Sequence, residues 1–304
     1  MTAVVTKSVG STYTLRTNEG EVYHAVLKGK FKLNDQKLTN PIAVGDRVHY
    51  EPESEGAVKM IITEICPRKN YLIRKSTHKT EHSHIIASNI DEVWLIISVL
   101  HPRTPLGFVD RFLVGCESYQ IPTKIILNKI DLLTQSKYMD IWNEAEHIYS
   151  SIGYECVRIS VHQEVNMSKM HDMMKGKNVL ISGQSGVGKS SLINRLLPHI
   201  SLKTAPISGY NNKGTHTTTF VEMYSVNNDT FITDMPGIKE FGLYDMNDEE
   251  ISHYFPEMRR LVGQCKFNTC THRNEPGCQV MAGVEAGTIA QSRYQNYLGM
   301  LLER

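Results

Sequence analysis

The chain has 304 residues, of which 40% are apolar and 21% are charged, and its formal net charge is +1. This length predicts about two domains, or three small ones, with a sizeable core. The near-neutral charge excludes a global electrostatic field as the means of attracting nucleic acid, so such a partner must meet local basic patches. The N-terminus lacks a signal-peptide core, and the longest apolar run, residues 93–100, is too short to span a bilayer. We therefore expect a soluble cytoplasmic protein with no membrane partner.

Residues 1–67 carry short stretches in which apolar and polar residues alternate, for example TYTLRT, EVYHAVLKG, DRVHYEP and VKMIITEI. Turn-forming residues separate these stretches, and regularly spaced short strands of this kind predict a small all-β barrel. We favour a five-stranded barrel of the oligonucleotide-binding type (OB-fold). An SH3-like barrel would leave the same pattern, and a structural barrel that binds no ligand stays open.

A basic run with one tyrosine follows at residues 68–79, and it fits either a contact with a phosphate backbone or a solvated connector. From about residue 88 the pattern changes, because apolar runs such as DEVWLIISV, TKIILNKI and NVLISG alternate with helical stretches such as YMDIWNEAEHIYSSI. Apolar runs separated by helices predict a mostly parallel, doubly wound α/β sheet. We assign this α/β domain to residues 68–240 and a C-terminal helical domain to residues 241–304.

The stretch GQSGVGKS, residues 183–190, fits the phosphate-loop pattern G-x-x-x-x-G-K-[ST] in full. It follows the apolar run NVLIS and opens a helical run, which is the context that the motif requires. Backbone N–H groups and the helix N-terminus would face the phosphates, Lys189 would reach the β- and γ-phosphates, and the Ser190 hydroxyl would bind Mg²⁺. The predicted nucleotide-binding residues of this loop are Gly183, Gln184, Ser185, Gly186, Val187, Gly188, Lys189, Ser190 and Ser191, the last of which also fits an ordinary helix position.

Two later stretches fit the remainder of a phosphate and magnesium site. DMPG begins at Asp234, which ends an apolar run and would hold Mg²⁺, while the N–H of Gly237 would meet the γ-phosphate. NNKGTHTTTF, residues 211–220, precedes it, and a threonine of this stretch would complete the Mg²⁺ shell. We take Thr218 as the magnesium ligand, with Thr217 and Thr219 as the other candidates.

The base-reading motif is NKID, in which Asn128, Lys129 and Asp131 follow the apolar run TKIIL. A carboxylate accepts two hydrogen bonds side by side, and guanine offers that pair of donors whereas adenine does not. Asp131 therefore predicts GTP, with discrimination against ATP of roughly 10⁴ to 10⁵. A P-loop ATPase or metabolic kinase is the alternative that Asp131 opposes. Ser160, which ends the next apolar run, is expected to support the base through its neighbouring backbone amide.

NKID precedes the phosphate loop along this chain, whereas in an ordinary GTPase it comes later. The spatial site does not depend on chain order, so we interpret the reversal as a circular permutation, which neighbouring termini make feasible. As a consequence, the DMPG loop leads directly into the C-terminal domain. We hypothesise that this domain changes position between the GTP-bound and GDP-bound states.

A cluster of metal-binding residue types lies near the C-terminus, in the pattern C-x₄-C-x-H-x₅-C. Three thiolates and one imidazole complete a tetrahedral shell and leave no position for a substrate, so we expect one structural Zn²⁺ per chain. Such an ion supplies on the order of 10 kcal/mol towards folding a small module. The predicted ligands are Cys265, Cys270, His272 and Cys278, and the other cysteines are scattered singly.

Together, NKID, GQSGVGKSSL, GTHTTT, DMPGIKEFGL and CKFNTCTHRNEPGC, in that order, closely resemble the RsgA family (also called YjeQ) of bacterial ribosome-assembly GTPases. The resemblance covers nearly the whole chain and implies an OB-fold, a circularly permuted P-loop GTPase domain and a C-terminal zinc-finger domain. It implies slow GTP hydrolysis that the small ribosomal subunit stimulates, with GTP, GDP and ribosomal RNA as partners. We expect a monomer.

The residue after DMPG is Ile238, where many GTPases carry a glutamine that positions water. The resemblance implies that His216 takes this role, and an imidazole that titrates near neutral pH suits it. A loop histidine of no special role stays open. The missing glutamine also supports a different class of protein, an RNA-binding adaptor that uses nucleotide as a conformational switch with negligible turnover.

Overall fold

The computed structural model describes residues 1–28, 41–54, 59–75, 83–202, 221–235 and 246–302. The first part is a closed barrel of five strands: β1 (Thr2–Val9), β2 (Thr12–Arg16), β3 (Val22–Leu27), β4 (Arg47–Pro52) and β5 (Lys59–Ile65). They pair in the order β1-β2-β3-β5-β4, and β4 closes on β1. Alternate residues such as Val5, Leu15 and Ile62 fill the barrel, as a period of two requires. The barrel confirms the OB-fold prediction, since β3 and β5 run parallel in this order.

A hairpin of β6 (Tyr71–Lys75) and β7 (Ser83–Ser88) connects the barrel to the next domain. Arg68, the first residue of the basic run, forms an ion pair of 2.7 Å with the fully buried carboxylate of Asp46 in the barrel. Asp46 also accepts a hydrogen bond of 2.6 Å from Ser88 on β7. Arg68 therefore helps to hold the barrel against the connecting hairpin, through its ion pair with Asp46.

The second part is an α/β sheet with helices on both faces. Its elements are β8 (Glu92–Ile97), α1 (Leu106–Ser118), β9 (Thr123–Leu127), a 3₁₀-helix (Ile130–Leu132), α2 (Ser136–Ser151), β10 (Cys156–Arg158), α3 (Met167–Met174), β11 (Asn178–Ser182), α4 (Lys189–Leu196), β12 (Glu222–Ser225) and β13 (Phe231–Asp234). The order is β10-β9-β8-β11-β13-β12, with only the β12–β13 pair antiparallel among these strands. Every residue of β8 is buried, because α1 and α2 cover one face and α3 and α4 cover the other.

This strand order puts the reversed motifs at one edge of the sheet. β9 leads into NKID and β11 leads into the phosphate loop, and only β8 lies between them. In a parallel sheet the carboxyl ends of the strands meet at the same edge, where ligands bind. The structure therefore has the spatial arrangement that the circular permutation predicts.

The third part is a small helical module with α5 (Asp248–Ile251), a 3₁₀-helix (Ser252–Tyr254), α6 (Pro256–Arg259), α7 (Gln279–Glu285) and α8 (Gln291–Leu302). Its core contains Phe255, Val280 and Tyr297, and it packs on α1 of the sheet domain. Among the residues that the structure describes, none of the helices has the length and apolar character needed to cross a membrane.

An ion cluster fixes this module to the sheet domain. Arg293 of α8 is 1% exposed and donates to the carboxylates of Asp110 on α1, at 2.7 Å, and Glu257 on α6, at 2.7 and 3.0 Å. The hydroxyl of Tyr149 on α2 donates to Asp110 at 2.7 Å, and the guanidinium lies 4.5 Å from the centre of the Phe255 ring. One cation is thus enclosed by side chains from both domains.

Candidate nucleotide-binding site and metal centre

The predicted phosphate loop is the turn between β11 and α4, and its glycines permit close contacts with neighbouring loops. Gly183 has φ +146°, and a Cβ there would lie 2.2 Å from the carbonyl oxygen of Ile96. Gly188 has φ +102°, and a Cβ there would lie 2.3 Å from the Asn128 amide nitrogen. Both positions need glycine, since an L side chain would collide and would be strained at these φ values.

Asn128 joins the predicted base loop to the phosphate loop. Its side chain is 3% exposed, and the Nδ2 group donates to the carbonyl oxygen of Val187 at 2.9 Å. Its Oδ1 atom accepts hydrogen bonds from the backbone N–H groups of Lys129 at 2.8 Å and Val161 at 3.3 Å. One amide side chain thus links the loops after β9, β10 and β11.

Lys129 adds a second link, which the sequence analysis did not find. Its Nζ group donates to the carbonyl oxygen of Gly186 at 2.7 Å and to that of His101 in the loop after β8. Desolvation lowers the pKa of the Lys129 amine, against the opposing charge of Asp131. No motif marks His101, because a backbone carbonyl contributes the contact and every residue type has one.

The side chains of Asp131, which follows β9, and Ser160, which follows β10, are in contact at the carboxyl edge of the sheet. The buried Ser160 hydroxyl donates to Asp131 Oδ1 at 2.5 Å, and the Gln163 N–H donates to that hydroxyl at 3.0 Å. We expected the backbone amide next to Ser160 to support the base. The amide of Val161 contacts Asn128, and the Ser160 side chain orients the Asp131 carboxylate, so the contact between that amide and the base stays a prediction.

Lys189 and Asp234 are buried beside the phosphate loop. The Lys189 amine donates to the carbonyl oxygens of Gly183 at 2.7 Å and Gln184 at 2.8 Å. Burial lowers the pKa of Lys189 to about 8, while the charge of Asp234 acts in the opposite direction. Asp234 ends β13 in register with Ile181 of β11, so it lies at the sheet edge from which the phosphate loop starts.

This pKa predicts that GTP affinity depends on pH. The free protein loses the Lys189 charge above about pH 8, and bound phosphates would favour the protonated amine, so nucleotide binding should take up a proton. We expect GTP affinity to fall roughly tenfold between pH 7.5 and pH 9. Equilibrium titration at several pH values measures the fall, and Lys189→Arg should flatten the profile because guanidinium stays charged. Equal affinity across this range would contradict the prediction.

The structure brings together the three cysteines and the histidine of the predicted metal site. The ligand atoms of Cys265, Cys270, His272 and Cys278 all lie within 4.8 Å of one another. His272 Nδ1 lies 3.4 Å from Cys278 Sγ and 3.7 Å from Cys265 Sγ. Burial lowers the pKa of His272, which favours the neutral imidazole that binds metals. Three sulfur atoms and one nitrogen atom around one point fit a four-coordinate ion.

Several predicted site residues lie outside the residues that the structure describes, and their roles stay predictions. They are His216, Thr217, Thr218, Thr219 and Gly237.

Comparisons with known proteins agree with this architecture. A family model described as RsgA GTPase matches residues 65–244, and a model of the RsgA N-terminal domain matches residues 3–58. A Flavobacterium johnsoniae protein named small ribosomal subunit biogenesis GTPase RsgA is 48% identical over 302 residues, which cover 99% of this chain and 93% of the relative. RsgA 2 of Bacteroides thetaiotaomicron, which carries the same description, is 44% identical over 306 residues, covering 100% and 97%.

Two solved structures have the same fold across nearly the whole chain. The crystal structure of YjeQ from Thermotoga maritima superposes with a TM-score of 0.79 at 32% identity, covering 99% of this chain and 97% of that one. YloQ, described as a circularly permuted GTPase, superposes with a TM-score of 0.75 at 25% identity, and the match covers 99% of this chain and 94% of YloQ. These matches confirm the predicted family and fold class. The chain belongs to the RsgA GTPase family, and it is a GTPase whose nucleotide-binding domain is circularly permuted.

Proposed function

We propose that this GTPase assists late maturation of the small ribosomal subunit, binds ribosomal RNA and is stimulated by the subunit. The hydrogen bond between Asn128 and Val187 carries the nucleotide part of this proposal, because it sets the base loop against the phosphate loop. The ribosomal part is supported by relatives that are named small ribosomal subunit biogenesis GTPases and that align with this chain over 97% and 93% of their lengths.

Catalysis would depend mainly on positioning and electrostatics. Lys189 would neutralise charge on the β- and γ-phosphates, and the N–H of Gly237 would contact the γ-phosphate. Bound Mg²⁺ would supply further charge neutralisation, held by Ser190, Thr218 and Asp234. His216 would orient the attacking water in place of the glutamine that many GTPases carry.

Asn128, Lys129 and Asp131 would hold the guanine. The contact between Ser160 and Asp131 supports this assignment, since it points a carboxylate oxygen in a defined direction. The phosphates would lie over the turn from Gly183 to Ser191. The Cys/His group near the C-terminus would hold one structural Zn²⁺, because its three thiolates and one imidazole complete the tetrahedral shell that Zn²⁺ prefers.

The surface of the metal module supports docking on RNA. Phe267 is 44% exposed, and the amine of Lys266 lies 5.5 Å from the centre of its ring. An exposed aromatic ring beside a cation suits stacking on a base next to a phosphate. A protein that acts on ribosomal subunits would work in the cytoplasm, as we expected from the sequence. The monomeric state and the domain limits 1–67, 68–240 and 241–304 stay predictions.

Phosphate release tests the proposal directly. We expect turnover of GTP but not ATP, and we expect purified small subunits to raise the GTP rate many-fold while large subunits do not. His216→Ala should abolish most of the stimulated rate. A flat, negligible rate with small subunits would favour the RNA-binding adaptor, and equal use of ATP would mean that Asp131 is assigned wrongly.

A further inference from the structure

One acidic side chain in the metal module accepts four hydrogen bonds within a single loop. Glu275 Oε1 accepts from the N–H and the hydroxyl of Thr271, both at 2.7 Å. Glu275 Oε2 accepts from the N–H groups of Arg273 at 2.8 Å and Asn274 at 3.0 Å. The N–H groups on both sides of His272 are therefore bound to one carboxylate.

The carbonyl groups of the same loop accept hydrogen bonds from two side chains of α8. The Tyr297 hydroxyl donates to the carbonyl oxygen of Thr271 at 2.7 Å, and the Tyr294 hydroxyl donates to that of His272 at 2.7 Å. Both tyrosines belong to α8. The loop around His272 is thus held by the Glu275 carboxylate through its N–H groups and by two phenol groups through its carbonyl oxygens.

His272 itself needs such support. Its φ is +57°, a left-handed value that a residue with a side chain adopts at a cost unless its surroundings fix it. A ligand's position depends on the hydrogen bonds that orient it, and the loss of such partners typically weakens metal affinity by roughly 10- to 100-fold.

We infer that Glu275 is a positioning residue of the metal site, which holds His272 in the geometry that coordinates the ion without binding the ion itself. A carboxylate suits this role because both of its oxygens only accept hydrogen bonds. In either orientation of its amide, a glutamine would turn an NH₂ group towards at least one N–H donor. The inference rests on the proposed metal site.

The test measures metal affinity in the full chain, stripped of metal under reducing conditions. Competition of Zn²⁺ with a chromophoric chelator gives the dissociation constant, and Co²⁺ absorption reports a tetrahedral thiolate shell. We expect Glu275→Gln to weaken Zn²⁺ binding roughly 10- to 100-fold. Glu275→Asp, which keeps the charge on a shorter side chain, should have an intermediate effect and covers the case in which the glutamine variant does not fold. Glu285→Gln, at an exposed residue of α7, should bind like the unaltered chain.

Thermal unfolding separates positioning from a purely structural role. A structural role would lower the melting temperature equally with and without metal and leave the dissociation constant unchanged, which would overturn the inference. Unaltered Zn²⁺ affinity in a folded Glu275→Gln or Glu275→Asp protein would also overturn the inference about Glu275, but it would leave the proposed metal site intact. Failure of the unaltered chain to bind Zn²⁺ or Co²⁺ would overturn the metal site and this inference together.

Discussion

Replacing Asp131 with asparagine is expected to weaken GTP binding by about 10² to 10⁴-fold. Two hydrogen bonds to a charged acceptor contribute about 1.5–3 kcal/mol each, and each 1.4 kcal/mol corresponds to a factor of ten. Asparagine keeps one acceptor, but its NH₂ group would face the amino group of guanine. Xanthine carries an oxygen in place of that amino group, so XTP should bind the variant better than GTP does.

Competition binding with GTP, XTP and ATP measures this exchange of specificity. Asp140→Asn removes an exposed carboxylate from α2 and should leave the order of affinities unchanged. Ser160→Ala removes the hydroxyl that donates to Asp131 at 2.5 Å, so it should weaken GTP binding about tenfold without favouring XTP. An Asp131→Asn protein that still prefers GTP would show that another group reads the base.

Replacing Arg293 with methionine is expected to lower the free energy of unfolding by about 3–5 kcal/mol. The substitution removes the cation between Asp110 and Glu257, which are 0% and 6% exposed, and leaves two carboxylates without their main compensating charge. Methionine has similar length, so little of the loss comes from a cavity.

Urea unfolding measures the loss, with Lys28→Met as the matched control. Lys28 pairs with Glu51 at 3.2 Å, but these side chains are 60% and 53% exposed, so removal of this pair should cost less than about 1 kcal/mol. Combining Arg293→Met with Asp110→Asn and Glu257→Gln should recover much of the lost stability, because no buried charge remains unpaired. If Arg293→Met and Lys28→Met lower the free energy of unfolding equally, the buried ion cluster contributes no more to stability than an exposed ion pair.

The Arg293 cluster also bears on the hypothesis that the C-terminal domain moves with the nucleotide state. A rigid displacement of this domain from α1 would separate Arg293 from Asp110 and expose both charges to a new environment. That cost opposes a large movement at this contact. The hypothesis stays a prediction, and distance measurements between labels on α1 and α8 in the GTP-bound and GDP-bound states test it.

The sequence alone determined the chemistry of both candidate sites. The phosphate loop and the Cys/His cluster are local patterns, in which the spacing along the chain already places the donors or ligands together. The change from alternating to continuous apolar runs likewise predicted a barrel followed by an α/β sheet. The circular permutation followed from the order of two motifs that a compact site must bring together.

The tertiary structure decided the contacts between segments that are distant along the chain. The parallel pairing of β3 with β5 distinguished the OB-fold barrel from an SH3-like one. Arg293 meets Asp110 across 183 positions, and Lys129 contacts a backbone carbonyl of His101. No residue pattern marks such contacts, because they depend on how helices pack and where loops cross. Ion pairs across domains and bonds to backbone groups are therefore features that only the folded chain defines.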